Sequence, residues 1–352
     1  MEVKKKILQK QLRNEVMNNN VQNVRKLLEK KDDKGKRIID VNYKYTVISI
    51  ENSESSNIKK KFSSIKTTLL SHALVFDQYD IVKLFLQCPE MDVNDKTDDE
   101  FTILTWSVLK RQTDIVKLLL NHPKIDVNMG EFIQRDTALM YAVNYGYVEI
   151  VKLLLNHSDI NINIKNKDNM TALLFASSEN QYEIGKLLLN QTNIDVNTQN
   201  ILGYTALMYA VKMGNTEFVK ILLNHPKINI NLKNKENLSA LMIATLNDNE
   251  KIVKLLLDKK NSNGERIVDV NVKSNVLMKF SNEYIVSKNT NVTFNDRNIK
   301  KVVKMDISTP LIMAASSGNI EIVKLLLRCP DIKINETDDY RGYTALMNAA
   351  SK

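Results

Sequence analysis

Apolar and polar positions alternate along this chain on a long period. The segment TALMYAVNYGYVEIVKLLLNHSDININ at residues 137–163 returns with small changes, its opening residue falling at Thr68, Thr102, Thr137, Thr171, Thr205, Ser239, Thr309 and Thr344. Successive spacings are 34, 35, 34, 34, 34, 70 and 35 residues. Each copy holds two short apolar blocks, such as ALMYA and IVKLLL, split by a polar break. That pattern predicts two short helices per copy, and a repeat near 33–35 residues with paired helices marks a stacked array. Blocks this greasy cannot be covered by one partner helix, so neighbouring copies must shield each other.

The punctuation agrees. A Thr or Ser before an apolar run is a helix N-cap, its hydroxyl taking a backbone N–H that the helix leaves free. Nine positions on stand Asp77, Gly146, Asn180, Gly214, Asp248 and Gly318, residues that tolerate the left-handed conformation ending a helix tightly. Arg111 occupies the same place, and the rule gives no reason for it. After the second block comes Asp/Asn-Val/Ile-Asn, Lys-Ile-Asn in the last copy, with its last residue at Asn42, Asn94, Asn128, Asn163, Asn197, Asn231, Asn271 and Asn335. A side-chain amide there is expected to bond turn backbone in the adjacent connection.

With these residues assembled, the chain resembles the ankyrin repeat family. The family pattern of Thr-Pro-Leu-His, a glycine turn, Glu-Ile-Val, Leu-Leu-Leu and Asp-Val-Asn maps across residues 68–352, though only Thr309-Pro310-Leu311 keeps the proline. The family's His is replaced by Ser71, Thr105, Met140, Leu174, Met208, Met242, Ile312 and Met347, which implies apolar contacts where side-chain hydrogen bonds are usual. The resemblance implies an all-α solenoid of stacked helix-turn-helix units with β-hairpin fingers.

Organisation follows. Residues 1–42 read as a divergent N-terminal capping repeat, 43–67 as a basic hairpin-like insertion and 68–271 as six repeats. Residues 272–308 form a second basic hairpin-like insertion, and 309–352 one further repeat plus a truncated last one. Because the chain stops half-way through a unit, the array is expected to continue beyond Lys352. In the first insertion, 43–50 and 58–65 flank ENSESSN and read as strand, turn and strand; KKVVKM at 300–305 is a similar stretch in the second. Kindred loops, DDKGKRIIDVN and NSNGERIVDVN, precede the two insertions, and units ending Cys88-Pro89 and Cys329-Pro330 follow them. The next fingers also match, Lys96-Thr97-Asp98-Asp99 against Glu336-Thr337-Asp338-Asp339, as duplication of a six-unit block would leave them. Loops this long serve as recognition fingers, as ordered elaboration or as floppy insertions, and the sequence leaves all three open.

Charge sharpens the picture. The net charge is +9, yet residues 1–42 carry +6, 43–67 carry +3 and 272–308 carry +4, leaving −4 for the rest. An acidic partner surface would be steered to those segments. Two cysteines far apart disfavour a disulfide scaffold, and the N-terminus lacks the apolar core of a signal peptide. No apolar run is long enough to span a membrane. Together these point to a cytoplasmic or nuclear protein that does not act in membranes.

A search for chemistry finds none. GxGxxG, GxxxxGK[ST], HExxH, CxxC and GxSxG are all missing, so no enzyme, cofactor or metal is expected. His122, His157 and His225 share one register with Cys88, Gln191, Lys259 and Cys329, which reads as a tolerant surface site. His72 shares a register with Trp106, Tyr141, Phe175, Tyr209, Ile243 and Met313, so it reads as a packing residue. The acidic run Asp95, Asp98, Asp99, Glu100 lacks the Gly and distal Glu of a calcium loop and reads as a solvated finger tip.

What the resemblance implies is a non-catalytic protein-interaction scaffold. The family grips partners with finger tips and the exposed end of helix one. That carries over to positions seven and eight after each unit's Thr: Phe76, Leu109, Lys110, Asn144, Tyr145, Glu179, Lys212, Met213 and Asn247. Phe101 and Tyr204 are finger candidates, with Asp98, Lys167, Asp168 and Leu202 behind them. Exposed aromatic and Met groups are common interface anchors. Two other functions fit the charge and the open end: nucleic-acid binding by the basic end and insertions, and service as the targeting arm of a longer protein. The chain lacks the dense basic-aromatic strips of nucleic-acid binders.

Overall fold

The computed structural model describes residues 2–51, 61–97, 100–276, 306–338 and 341–351. Two compact units result, residues 1–167 and 168–352.

The first unit opens with α1 (Glu2–Met17) and α2 (Val21–Leu28), then a hairpin of β1 (Lys44–Glu51) and β2 (Lys61–Thr68). Three helix pairs follow: α3 (Leu69–Val75) with α4 (Tyr79–Leu86), α5 (Ile103–Leu109) with α6 (Thr113–Leu120), and α7 (Ala138–Asn144) with α8 (Val148–Leu155). The second unit comprises α9 (Ala172–Ser178), α10 (Tyr182–Leu189), α11 (Ala206–Lys212), α12 (Thr216–Asn224), α13 (Ala240–Leu246) and α14 (Glu250–Asp258). It continues through a short ribbon of β3 (Ser274–Val276) and β4 (Asp306–Ser308) to α15 (Pro310–Ser317), α16 (Ile320–Leu327) and α17 (Ala345–Ala350).

Within each unit, helix one of a repeat packs on helix one of the next, and helix two on helix two. In the first unit α3, α5 and α7 form one column and α4, α6 and α8 the other. In the second, α9, α11, α13, α15 and α17 stand beside α10, α12, α14 and α16. Each unit is a stack of helix-turn-helix repeats, mostly helical, with hairpin fingers, as the resemblance implied.

Local chemistry accounts for the helix starts. All eight predicted caps form: the hydroxyls of Thr68, Thr102, Thr137, Thr171, Thr205, Ser239, Thr309 and Thr344 each accept the N–H three residues on. The residues replacing the family's His are sealed in, as the resemblance implied; Met140, Leu174, Met208, Met242 and Ile312 are all buried. Met347 departs from this and is exposed. Ser71 keeps a polar role by donating to the Lys96 carbonyl at 3.1 Å.

Turns between paired helices are left-handed at Asp77, Gly146, Asn180, Gly214, Asp248 and Gly318, and Arg111 adopts the same conformation at φ 54°. Its guanidinium carbon lies 5.4 Å from the centre of the Tyr147 ring.

Repeat-to-repeat joints use the recurring Asn as expected. Asn128 donates its amide to the Asp159 carbonyl at 2.7 Å and accepts the Asn161 N–H at 2.8 Å. Asn42, Asn94, Asn197, Asn231 and Asn271 make the same paired bonds to the following repeat. The Asp or Asn two residues earlier accepts the Asn's own N–H, as Asp126 does from Asn128 at 3.0 Å, and so fixes the turn.

Both insertions have paired roots. β1 and β2 run antiparallel from Lys44 opposite Thr68 to Glu51 opposite Lys61, and β2 leads straight into α3. The ENSESSN tip beyond Glu51 lies outside the described residues, as does KKVVKM. Matching ion pairs brace each root: Arg37 with Glu90 and Lys44 with Asp95 in the first unit, Arg266 with Asp331 and Lys273 with Glu336 in the second.

Candidate functional site

Capping sets which face each helix one presents. In α3, α5, α7, α9 and α11 the first, second, third, fifth and sixth residues after the cap are buried, and the eighth falls at the helix end. There Phe76, Tyr145 and Met213 are 63%, 50% and 51% exposed, and Lys110, Glu179 and Asn247 are also exposed. The seventh position is less open than expected. Leu109 and Asn144 are half-buried; Lys212 alone of the candidates there is exposed.

In the first unit the rings form a connected strip. Phe101 lies 6.0 Å from both Trp106 and Tyr141, Tyr141 stacks on Tyr145 at 6.4 Å, and Tyr145 stacks on Tyr147 at 5.7 Å. The Lys110 ammonium stands 5.1 Å from the Trp106 ring centre. Phe101 is therefore half-buried, holding two repeats together while showing one edge. Burial, then the charges of Asp136 and Glu131, push Tyr141 up to about 12. His72 is 4.4 Å from Phe76 and 6.3 Å from Tyr45, the packing role its register predicted.

The second unit carries a smaller cluster. Tyr204 is half-buried, 5.2 Å from Tyr209, with the Lys212 ammonium 5.5 Å from its ring centre. Burial raises its pKa. Asn247 donates to the Lys212 carbonyl at 3.4 Å.

Finger tips are held from inside by one side chain. Asn200 accepts the N–H groups of Leu202 at 3.0 Å and Tyr204 at 2.9 Å, leaving Leu202 exposed. Asp168 is exposed, and its carbonyl accepts the Ile201 N–H at 2.9 Å. Asp98 and Asp99 lie outside the described residues. In the first unit Glu131 takes the N–H groups of Ile133, Gln134 and Asp136, turning its carboxylate inward and Phe132 and Ile133 outward, 65% and 61% exposed. Sequence reading passed over these two. The signal was present: the 35-residue step from Thr102 to Thr137 adds a residue to that finger, and two adjacent apolar residues in a polar tip have no core to serve.

One expectation is corrected. The register shared by His122, Cys88 and Cys329 is not the open surface site expected: these three are 5%, 2% and 3% exposed, and His157, Gln191, His225 and Lys259 are half-buried. The chain turns back there, and the side chain closes the turn. The Nδ1 atoms of His122, His157 and His225 each accept the N–H two residues on, at 3.2–3.3 Å. Among the described residues no three His, Cys, Asp or Glu side chains gather closely enough to hold a metal, and no helix is long and apolar enough to cross a membrane. Rings flanked by cations are suited to burying apolar and anionic groups.

A family model described as ankyrin repeats (3 copies) matches residues 15–131, 125–200, 190–273 and 281–352. Among solved structures, the chain is similar to EF0377, an ankyrin repeat protein, at 28% identity and a TM-score of 0.51, covering 54% of this chain and 97% of that one. It is also similar to the ankyrin repeat domain of Bcl-3, a member of the IkappaB protein family, at 22% identity and a TM-score of 0.47, covering 56% of this chain and 90% of that one. No curated protein matches the sequence.

Proposed function

The chain belongs to the ankyrin repeat family, and on that premise we propose that it is a non-catalytic scaffold binding a partner protein through the ends of its first helices and its fingers. Repeats of this family are protein-interaction modules. The observation that carries the finer reading is the eighth-position register, where Phe76 after α3 and Tyr145 after α7 stand half or more exposed in the first unit, with Lys110 between them, and Met213 does so in the second. Scattered surface hydrophobes are ordinary; recurrence at one structural position, with Phe76 and Tyr145 each beside an aromatic neighbour, favours a binding role.

The test compares affinity capture from the native cell by wild type and by a Phe76→Asp, Tyr145→Asp variant, after circular dichroism shows both folded. Proteins retained by wild type and lost by the variant support the assignment. An identical set on both would remove this face from the function.

A further inference from the structure

A second feature of the first unit lies on its fingers. Phe132 sits between two lysines of neighbouring fingers, its ring centre 5.3 Å from the Lys96 ammonium and 5.9 Å from that of Lys167. A cleft of about 570 Å³ opens beside it, lined by Lys96, Phe132, Arg135, Lys165 and Lys167 among others. Its one carboxylate, Glu131, is 3% exposed and engaged by backbone N–H groups of its own tip. Lys96 reaches Glu100 only in an exposed pair at 3.6 Å, the weak kind.

The walls are fixed before anything binds. The Lys167 N–H donates to the Gln134 carbonyl at 2.9 Å, its ammonium to the Phe132 carbonyl at 3.3 Å, and Asn166 donates to Asp136 at 2.7 Å. Ordering cost on binding is low where side chains are already held.

We propose that this cleft takes a short acidic segment of a partner protein, its carboxylates against Arg135, Lys165 and Lys167 and an apolar side chain against Phe132 and Ile133. Charge complementarity selects the occupant: the exposed cations face outward while the local carboxylate faces inward. The apolar pair at the tip selects a segment that also carries Leu or Phe. This inference rests on the scaffold reading but uses different residues, so the two fail separately.

The probe is a fluorescein-labelled peptide of a dozen residues, mostly Asp and Glu with two Leu, followed by fluorescence anisotropy on the full chain. Binding is expected to weaken with added salt and to fall about ten-fold in Lys165→Glu, Lys167→Glu. Phe132→Ser, a tip change that leaves the Glu131 bonds in place, is expected to weaken it with little effect on the salt dependence. Phe76→Asp, Tyr145→Asp should bind the peptide as wild type does. The proposal is overturned if a Lys-rich peptide of equal length binds equally, if the charge reversal changes nothing, or if a single-stranded oligonucleotide binds more tightly than the acidic peptide.

Discussion

Phe218 fills the space that a side chain on Gly185 would need. A Cβ built at Gly185 would collide with the Phe218 ring. The two residues hold adjacent places in successive second helices, where other repeats carry Ile and Val, as in Ile150-Val151 and Ile252-Val253. One repeat has given up a side chain and the next has enlarged one, so column packing survives. Tyr182 meets the same ring edge-on at 6.3 Å.

Gly185→Val is therefore expected to destabilise the second unit by about 2–3 kcal/mol, since a filled core has no room for extra methyls. Phe218→Ile leaves a void and costs about 1–3 kcal/mol. Made together they restore the pair found elsewhere in the array, and the double variant should be more stable than the sum of the singles implies. Urea unfolding of all four proteins measures the coupling; simple additivity would show that the ring does not depend on the glycine.

The paired bonds of Asn128 predict a second effect. Asn128→Ala removes a donor to Asp159 and an acceptor for Asn161, and should cost about 1–2 kcal/mol because both bonds are solvent-accessible. Asn128→Asp keeps the acceptor but sets a carboxylate against the Asp159 carbonyl, so it should be no better than Ala. Hydrogen exchange at the Asn161 amide provides a local readout, quickened by Ala and retained by Asp.

How much of this was written in the sequence differs by feature, for physical reasons. The caps and the Asn joints were legible because each depends on one side chain's hydrogen bonding at a fixed offset, and the offsets recur. Phe76, Tyr145 and Met213 were legible because register fixes which side of a seven-residue helix faces out. Leu109 was misjudged, since how far a side chain leans on the next column depends on packing that periodicity does not encode. His122 was misjudged too: interchange of His, Cys, Gln and Lys looks like surface tolerance, yet several of these side chains close one turn. The Phe132 cleft gathers residues from three fingers, and no local pattern announces such a meeting.

Tyr141 supplies a pH dependence. Its pKa rises from 10.0 to about 12 on folding, through burial first and the nearby carboxylates second. The unfolded chain thus loses this proton first as pH rises, and the fold loses stability between those two values. Near pH 11 the loss should be of order 1 kcal/mol or less once partial exposure is allowed for. Tyr141→Phe abolishes that contribution, so urea unfolding at neutral pH and near pH 11 should show a smaller drop for the variant. An equal drop in both would place the alkaline loss elsewhere.

Among the described residues Arg111 is the one helix-pair turn where a long side chain is held left-handed, at φ 54°, among Asn, Asp and Gly counterparts. For a residue with a Cβ this conformation costs about 1 kcal/mol, and for glycine almost nothing. Against that gain, Arg111→Gly gives up the contact with Tyr147, worth about 0.5–1 kcal/mol at an exposed site, and frees the unfolded chain. The terms nearly cancel for glycine. Arg111→Asn separates them: it relieves the backbone without glycine's entropy, so it should be the more stable of the two variants and at least equal to wild type in thermal unfolding. If both variants prove less stable by about 1 kcal/mol or more, the guanidinium on Tyr147 outweighs the strained turn, and Arg111 is kept for the ring it covers rather than tolerated at the turn it closes.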